Sequence, residues 1–221
     1  AVEVIGDEAR RVGAGIVEVP PRGGAGDHNR RVAGGAAEGL AGRLGRRLDP
    51  EAVRRGLARA RLAGRSEAMP SQPGSPRAVL DGAHNADKLA VAVDRALRAA
   101  PPGRRVALVG LLGTKAGPAL ARPLAGRFDA AVATQPRVHG KTPFPAAETA
   151  SLLAGAGIET VIEPRPLEAL DRALELAGAD GTVLATGSFY LAGDLRERWY
   201  PKRRVVLERT SWPEEPTRSS G

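Results

Sequence analysis

From residue 77 onward the chain alternates short apolar runs with helix-length segments, and this constrains its fold more than any other feature. Strand-like runs lie at 77–81, 105–111, 129–134, 158–162, 181–186 and 204–208. Segments of helical length separate them, at 85–99, 115–126, 145–156, 166–177 and 187–199. Parallel strands cannot be joined by a tight hairpin, so each pair needs a crossover, and the crossover helices cover both faces of the sheet. The expected class is α/β, with a mostly parallel six-stranded sheet in which "RRVVLE", after Pro201, forms an antiparallel edge. Hydrophobic residues make up 42% of the chain but aromatics only 3%, so the core must be built from Ala, Val and Leu.

The first part of the chain reads differently. A short helix over residues 2–13 precedes the strand-like "GIVEV" at 15–19 and a breaker-rich loop at 20–26. Residues 30–45 have helical spacing but carry Gly34, Gly35, Gly39 and Gly42, each costing about 1 kcal/mol relative to Ala. Small residues there suit close packing against another helix. "DPEAVRRGLARA" then opens a helix firmly, with Asp49 as N-cap and Pro50 at the first helical position. "MPSQPGSP" at 69–76 is a loop, and the chain closes in a polar tail.

Several function classes drop out. The net charge is +8, but only four of the 33 basic residues are Lys, and the Arg residues are scattered along helical segments without a groove-facing stripe. With so few aromatics to stack on bases, no nucleic-acid partner is expected. Cysteine is absent, which excludes disulfides, thiolate nucleophiles and Cys-ligated zinc and suits a cytoplasmic setting. No apolar run of about 18 residues calls for a membrane.

The chemistry concentrates in "VLDGAHNADKLA" at 79–90, where a strand ends in a carboxylate, an imidazole and an amide before helical spacing resumes. In open α/β sheets, ligands bind beyond the carboxyl ends of the strands. Asp81, Gly82, His84 and Asn85 hold that place after one strand, and Thr186, Gly187 and Ser188 hold it after another. Free N–H groups at a helix start favour anions there. "RVHGKTP" at 137–143 ends like a phosphate-binding P-loop, yet Gln135 stands where the loop needs glycine, and Pro143 follows at once. G-x-G-x-x-G is absent.

"RAVLDGAHNADKLAVAV" resembles the start of the C-terminal domain of the folylpolyglutamate synthase/dihydrofolate synthase family, within the Mur ligase superfamily. "LDPEAVRRGLARARLAGRSEAM" is similar to the segment ending that family's central domain, with Gly64-Arg65 in place of its Pro-Gly-Arg. "VLATGSFYLAGDLRERW" resembles its Thr-Gly-Ser-Leu-Tyr helix opening, and "AVEVIGDEARRVGAGIVEV" a helix and strand of the central domain. The resemblance implies the end of a central ATPase domain over 1–66, a Rossmann-like C-terminal domain over 67–208 and a disordered tail over 209–221. It also implies an ATP-dependent ligase. A folate carboxylate is phosphorylated, and the acyl phosphate is attacked by the amine of glutamate, with magnesium at the phosphates.

By the same resemblance Arg65 and Asp81 match nucleotide-contacting positions, and His84 matches a residue lining the cleft near the transferred phosphate. Against this stand plainer readings: Asp81 as a helix cap, Arg65 as a surface ion pair, His84 as a hydrogen bond within its turn. Asn85 and Ser188 read as caps. Val32 departs from the family pattern, since a nucleotide-contacting Asn is expected there and valine cannot hydrogen-bond adenine. The P-loop and magnesium ligands have no counterpart and are expected in an N-terminal portion, which would be a partner alongside folate and glutamate. The alternatives are a non-catalytic nucleotide- or folate-binding module and another Mur-type amide ligase.

Overall fold

The computed structural model describes residues 2–20, 23, 25–98, 100–113 and 117–213. Two compact units divide the chain, Ala1–Arg61 and Leu62–Gly221.

The first unit is helical: α1 (Val2–Val12), α2 (Ala25–Arg43) and α3 (Pro50–Arg59). Ion pairs one turn apart, Asp7–Arg10 and Glu8–Arg11, line the polar side of α1. The α3 start forms as its sequence predicts: the Asp49 carboxylate accepts from the N–H groups of Glu51 (3.0 Å) and Ala52 (3.2 Å). The glycines of α2 permit close approach, for a Cβ at Gly34 would lie 3.4 Å from the Leu57 side chain. The expected strand at 15–19 does not form. A strand needs a ladder partner, and no described residue of this unit provides one, so Ile16 and Val17 lie exposed.

The second unit holds one six-stranded sheet. Its strands are β1 (Glu67–Ala68), β2 (Arg77–Leu80), β3 (Arg105–Val109), β4 (Ala130–Ala133), β5 (Thr160–Ile162) and β6 (Thr182–Thr186). Their spatial order is β1-β2-β6-β3-β4-β5, all parallel except the β1–β2 pair. Helices α4 (Ala86–Arg98) and α5 (Ala146–Ala154) cover one face, burying Leu89, Val93 and Leu153 against Val79, Val109 and Leu184. On the other face, α6 (Pro166–Ala177) and α7 (Phe189–Arg196) bury Leu170, Leu191 and Leu195 against Leu80, Leu108 and Val183. Alternate strand residues thus enter opposite cores, which is why these strands read as continuous apolar runs. Each fully buried Leu contributes about 1.5–3 kcal/mol, so small side chains in number replace aromatics.

Two expected elements differ. The run at 204–208 is not the antiparallel edge; it lies in a helix, α8 (Lys202–Leu207), while Glu67–Ala68 takes the edge. Val206 and Leu207 stay exposed, and an Arg204–Glu208 ion pair spans one turn, as a solvated helix allows and a sheet edge does not require. The expected helix at 115–126 reduces to a 3-10 turn, Pro118–Leu120, followed by further turns. Pro118 and Pro123 cannot both sit in a helix without losing backbone hydrogen bonds. Residues 114–116 lie outside the described residues. The expected tail begins at 209; through Trp212 the chain is hydrogen-bonded to the unit, and 214–221 are outside the described residues.

Candidate functional site

Strands β2 and β6 lie side by side with Leu80 opposite Ala185. Their carboxyl ends therefore bring the Asp81 and Thr186 turns together, and cross-links fix them: Asp81 N–H donates to Ala185 O (2.9 Å) and Gly187 N–H to Ala83 O (2.9 Å). Gly187 has φ of +107°, and a Cβ there would meet Gly110 O at 2.6 Å, so no other residue fits this turn.

Asp81 is buried, with 4% of its surface exposed. Oδ2 accepts from the N–H (2.8 Å) and hydroxyl (3.0 Å) of Ser66, and Oδ1 accepts from Ala83 N–H (2.8 Å). It is not the cap of α4; Asn85 is, accepting from Lys88 N–H (2.9 Å). Asp81 instead locks the turn that precedes β1. Ser66 sits there at φ +44°, a left-handed conformation rare for a residue with a side chain, and the two hydrogen bonds to Asp81 hold it. A carboxylate has about four acceptor positions, and three of those on Asp81 are taken within the turn.

Glu67 holds the same turn from the other side. Its carboxylate, 8% exposed, accepts from Gly64 N–H (2.8 Å), Trp212 Nε1 (2.7 Å) and both Nε and a terminal nitrogen of Arg196 (2.8 and 2.9 Å). Burial alone would raise its pKa. The hydrogen bonds from Arg196, Gly64 and Trp212 and the attraction of the Arg196 charge outweigh that, so it lies below the ordinary Glu range. The Arg196 guanidinium in turn stacks over Tyr200, 4.9 Å from the ring centre. Two buried carboxylates thus pin Gly64 and Ser66, the neighbours of Arg65.

Arg65 lies over the ring of Phe189, with Cζ 4.6 Å from the centroid. The His84 ring lies 6.4 Å from that of Phe189 at 56°. His84 Nδ1 is 2.9 Å from Gly82 O and Nε2 is 3.3 Å from Lys88 Nζ. These partners assign the proton to Nδ1, which donates to the carbonyl, and leave Nε2 accepting from the ammonium. At the start of α7, Ser188 Oγ accepts from the N–H groups of Tyr190 (3.0 Å) and Leu191 (3.4 Å), a cap as its sequence suggests.

All three sequence candidates, Arg65, Asp81 and His84, therefore gather at one sheet edge, where Arg65 and Lys88 supply two cations. Sequence reasoning missed Phe189, Lys88, Ser66 and Glu67. Lys88 was visible as the residue one helical turn beyond His84; the role of Glu67 depends on Arg196 and Trp212, more than 120 residues away. Elsewhere, a cleft of about 760 Å³ in the helical unit has a rim that mixes Arg30, Arg31 and Arg54 with Glu18 and Glu38. Its charges are of both signs, and none of the three candidates lines it. Among the described residues no three His, Asp or Glu side chains converge as a metal site.

Residues 64–189, spanning this edge and all six strands, match the family described as Mur ligase, glutamate ligase domain. The chain belongs to the Mur ligase family. A probable bifunctional folylpolyglutamate synthase/dihydropteroate synthase of Halobacterium salinarum is 34% identical over 180 residues, covering 79% of this chain and 20% of that protein. The bifunctional folylpolyglutamate synthase/dihydrofolate synthase of Yersinia pestis, solved with AMPPNP and Mn, superposes with a TM-score of 0.58 at 26% identity, covering 69% of this chain and 35% of that one. The Mycobacterium tuberculosis folylpolyglutamate synthase complexed with ADP and AMPPCP shares the fold, with a TM-score of 0.68 at 23% identity over 83% of this chain and 42% of that one. This Mur ligase chain spans a fifth of the curated relative and about a third to two fifths of these solved ones. Its kinship lies with the folylpolyglutamate synthases, and its sheet is of the Mur ligase C-terminal type.

Proposed function

We propose that this chain is the C-terminal part of an ATP-dependent ligase that adds glutamate to a folate through an acyl phosphate. Residues 1–66 would be the end of the central ATPase domain and 67–208 the C-terminal domain, working in the cytoplasm with a P-loop-bearing N-terminal portion. The observation that carries this reading is the gathering of Arg65, Asp81 and His84 at one sheet edge inside the family-matched region.

ATP would supply the phosphoryl group that turns the folate carboxylate into an acyl phosphate, from which the glutamate amine displaces phosphate. The edge suits the nucleotide. Arg65 offers a planar cation to the base or a phosphate, and Asp81 its remaining acceptor to a ribose hydroxyl. Lys88, held by His84 Nε2, offers positive charge where the transferred group would lie. No described residues form a metal site, so no step is assigned to magnesium here. Val32, exposed on α2, favours a second reading in which this is a nucleotide- or folate-binding module without catalysis.

The test is ligase assay with and without the P-loop portion. The 221-residue chain alone should bind ADP no better than about millimolar, worth roughly 4 kcal/mol, and should make no amide. Adding the N-terminal portion in trans or by fusion should restore amide formation, and Arg65→Ala should then weaken nucleotide binding with the melting temperature nearly unchanged. Asp81→Ala is the poorer probe, because it also frees Ser66. Folate- and glutamate-dependent ADP release from the chain alone would overturn the proposal. An assembled pair that binds nucleotide but forms no amide would favour the non-catalytic reading.

A further inference from the structure

Phe189 stands at the centre of the candidate site, yet 38% of its surface stays exposed. Its seat is made by two glycines. A Cβ at Gly82 would fall 2.5 Å from the ring, and one at Gly64, which has φ of +68°, would fall 3.4 Å from it. With the ring settled against this backbone, Arg65 lies 4.6 Å above it and His84 meets it at 6.4 Å. One side chain therefore meets the Arg65 guanidinium, the His84 ring and the glycine beside Asp81. A leucine at this place would fill the seat but present no π face.

We propose that Phe189 is a positioning residue of this site, holding the Arg65 guanidinium and the His84 imidazole toward the nucleotide; the ligand class rests on the function proposed above. Arginine has high rotamer freedom, so a guanidinium already laid on an aromatic face loses less on binding a phosphate or base. The backbone on either side of Arg65 is fixed by Glu67 and Asp81, and Phe189 fixes what the backbone cannot, the far end of the side chain.

The experiment compares the full chain with Phe189→Leu and Phe189→Trp by NMR, with ADP as the titrant. In the parent chain the ring current of Phe189 should shift the Arg65 side-chain and His84 ring protons upfield. Phe189→Leu should lose both shifts while its melting temperature stays within about 2 °C, as expected of a partly exposed position. Its ADP affinity should fall about two- to fivefold, the worth of one exposed cation–π contact. Phe189→Trp should recover the shifts and the affinity. Arg65 and His84 signals unchanged in Phe189→Leu would overturn the positioning role, as would parent-like ADP affinity in that variant. If the shifts vanish as expected but the parent chain gives no response to ADP, the nucleotide reading falls and the hold of Phe189 on Arg65 stands.

Discussion

The two units of this chain use similar side chains to opposite effect. In Leu62–Gly221, Leu80, Leu108, Leu170, Leu184 and Leu191 are wholly buried between a sheet and its helices. In Ala1–Arg61, Val4, Ile5, Val17, Leu40 and Leu44 are more than 60% exposed, and α3 buries none of its residues. Both units are rich in Ala, Gly and Arg, so composition does not separate them. The difference is that a parallel sheet gives every apolar strand residue a covered face, whereas three helices without a sheet leave their apolar stripes open.

Hydrogen exchange offers the sharpest break in that comparison. Amides of β3 and β6 should exchange slower than those of α1 by at least about a thousandfold, or roughly 4 kcal/mol in opening free energy. Equal protection in the two units would refute the contrast. Next in size is the Glu67 clamp. Glu67→Ala leaves Arg196 buried without its partner and should cost the second unit about 3–5 kcal/mol in denaturant unfolding, with α1–α3 unaffected. Because the folded-state pKa of Glu67 lies below its unfolded value, its contribution is present above the ordinary Glu range, near pH 4.3, and is lost as pH falls through the lower folded value. Acid unfolding of the parent second unit should therefore be steeper below about pH 4 than that of Glu67→Gln. A variant with the same acid profile would show that the clamp does not set the acid limit. The smallest effect belongs to the helical unit: Asp49→Ala should lower α3 helicity by about 1 kcal/mol of capping and leave the sheet unit's melting temperature alone. Circular dichroism of the two melting phases measures it.

Local chemistry that the backbone can satisfy within a few residues was settled by sequence. Asp49 and Pro50 start α3, Asn85 and Ser188 cap α4 and α7, and the alternation after residue 76 sets a mostly parallel sheet whose carboxyl edge carries Asp81, His84 and Thr186. Relations between distant segments were settled only in the tertiary structure. "GIVEV" and "RRVVLE" both have strand-like sequences, but a strand exists only where another edge is free to pair, so one stayed unpaired and the other became α8 while Glu67–Ala68 took the place. Asp81 reads as a cap or a ligand from its neighbours, and its lock on Ser66 comes from a turn fifteen residues earlier. Nothing in the sequence singles out Phe189, and only the folded approach of Gly64 and Gly82 seats its ring under Arg65. Periodicity and capping are encoded in neighbouring residues, whereas pairing, burial and the meeting of side chains are decided by which surfaces compete for one another once the chain has closed on itself.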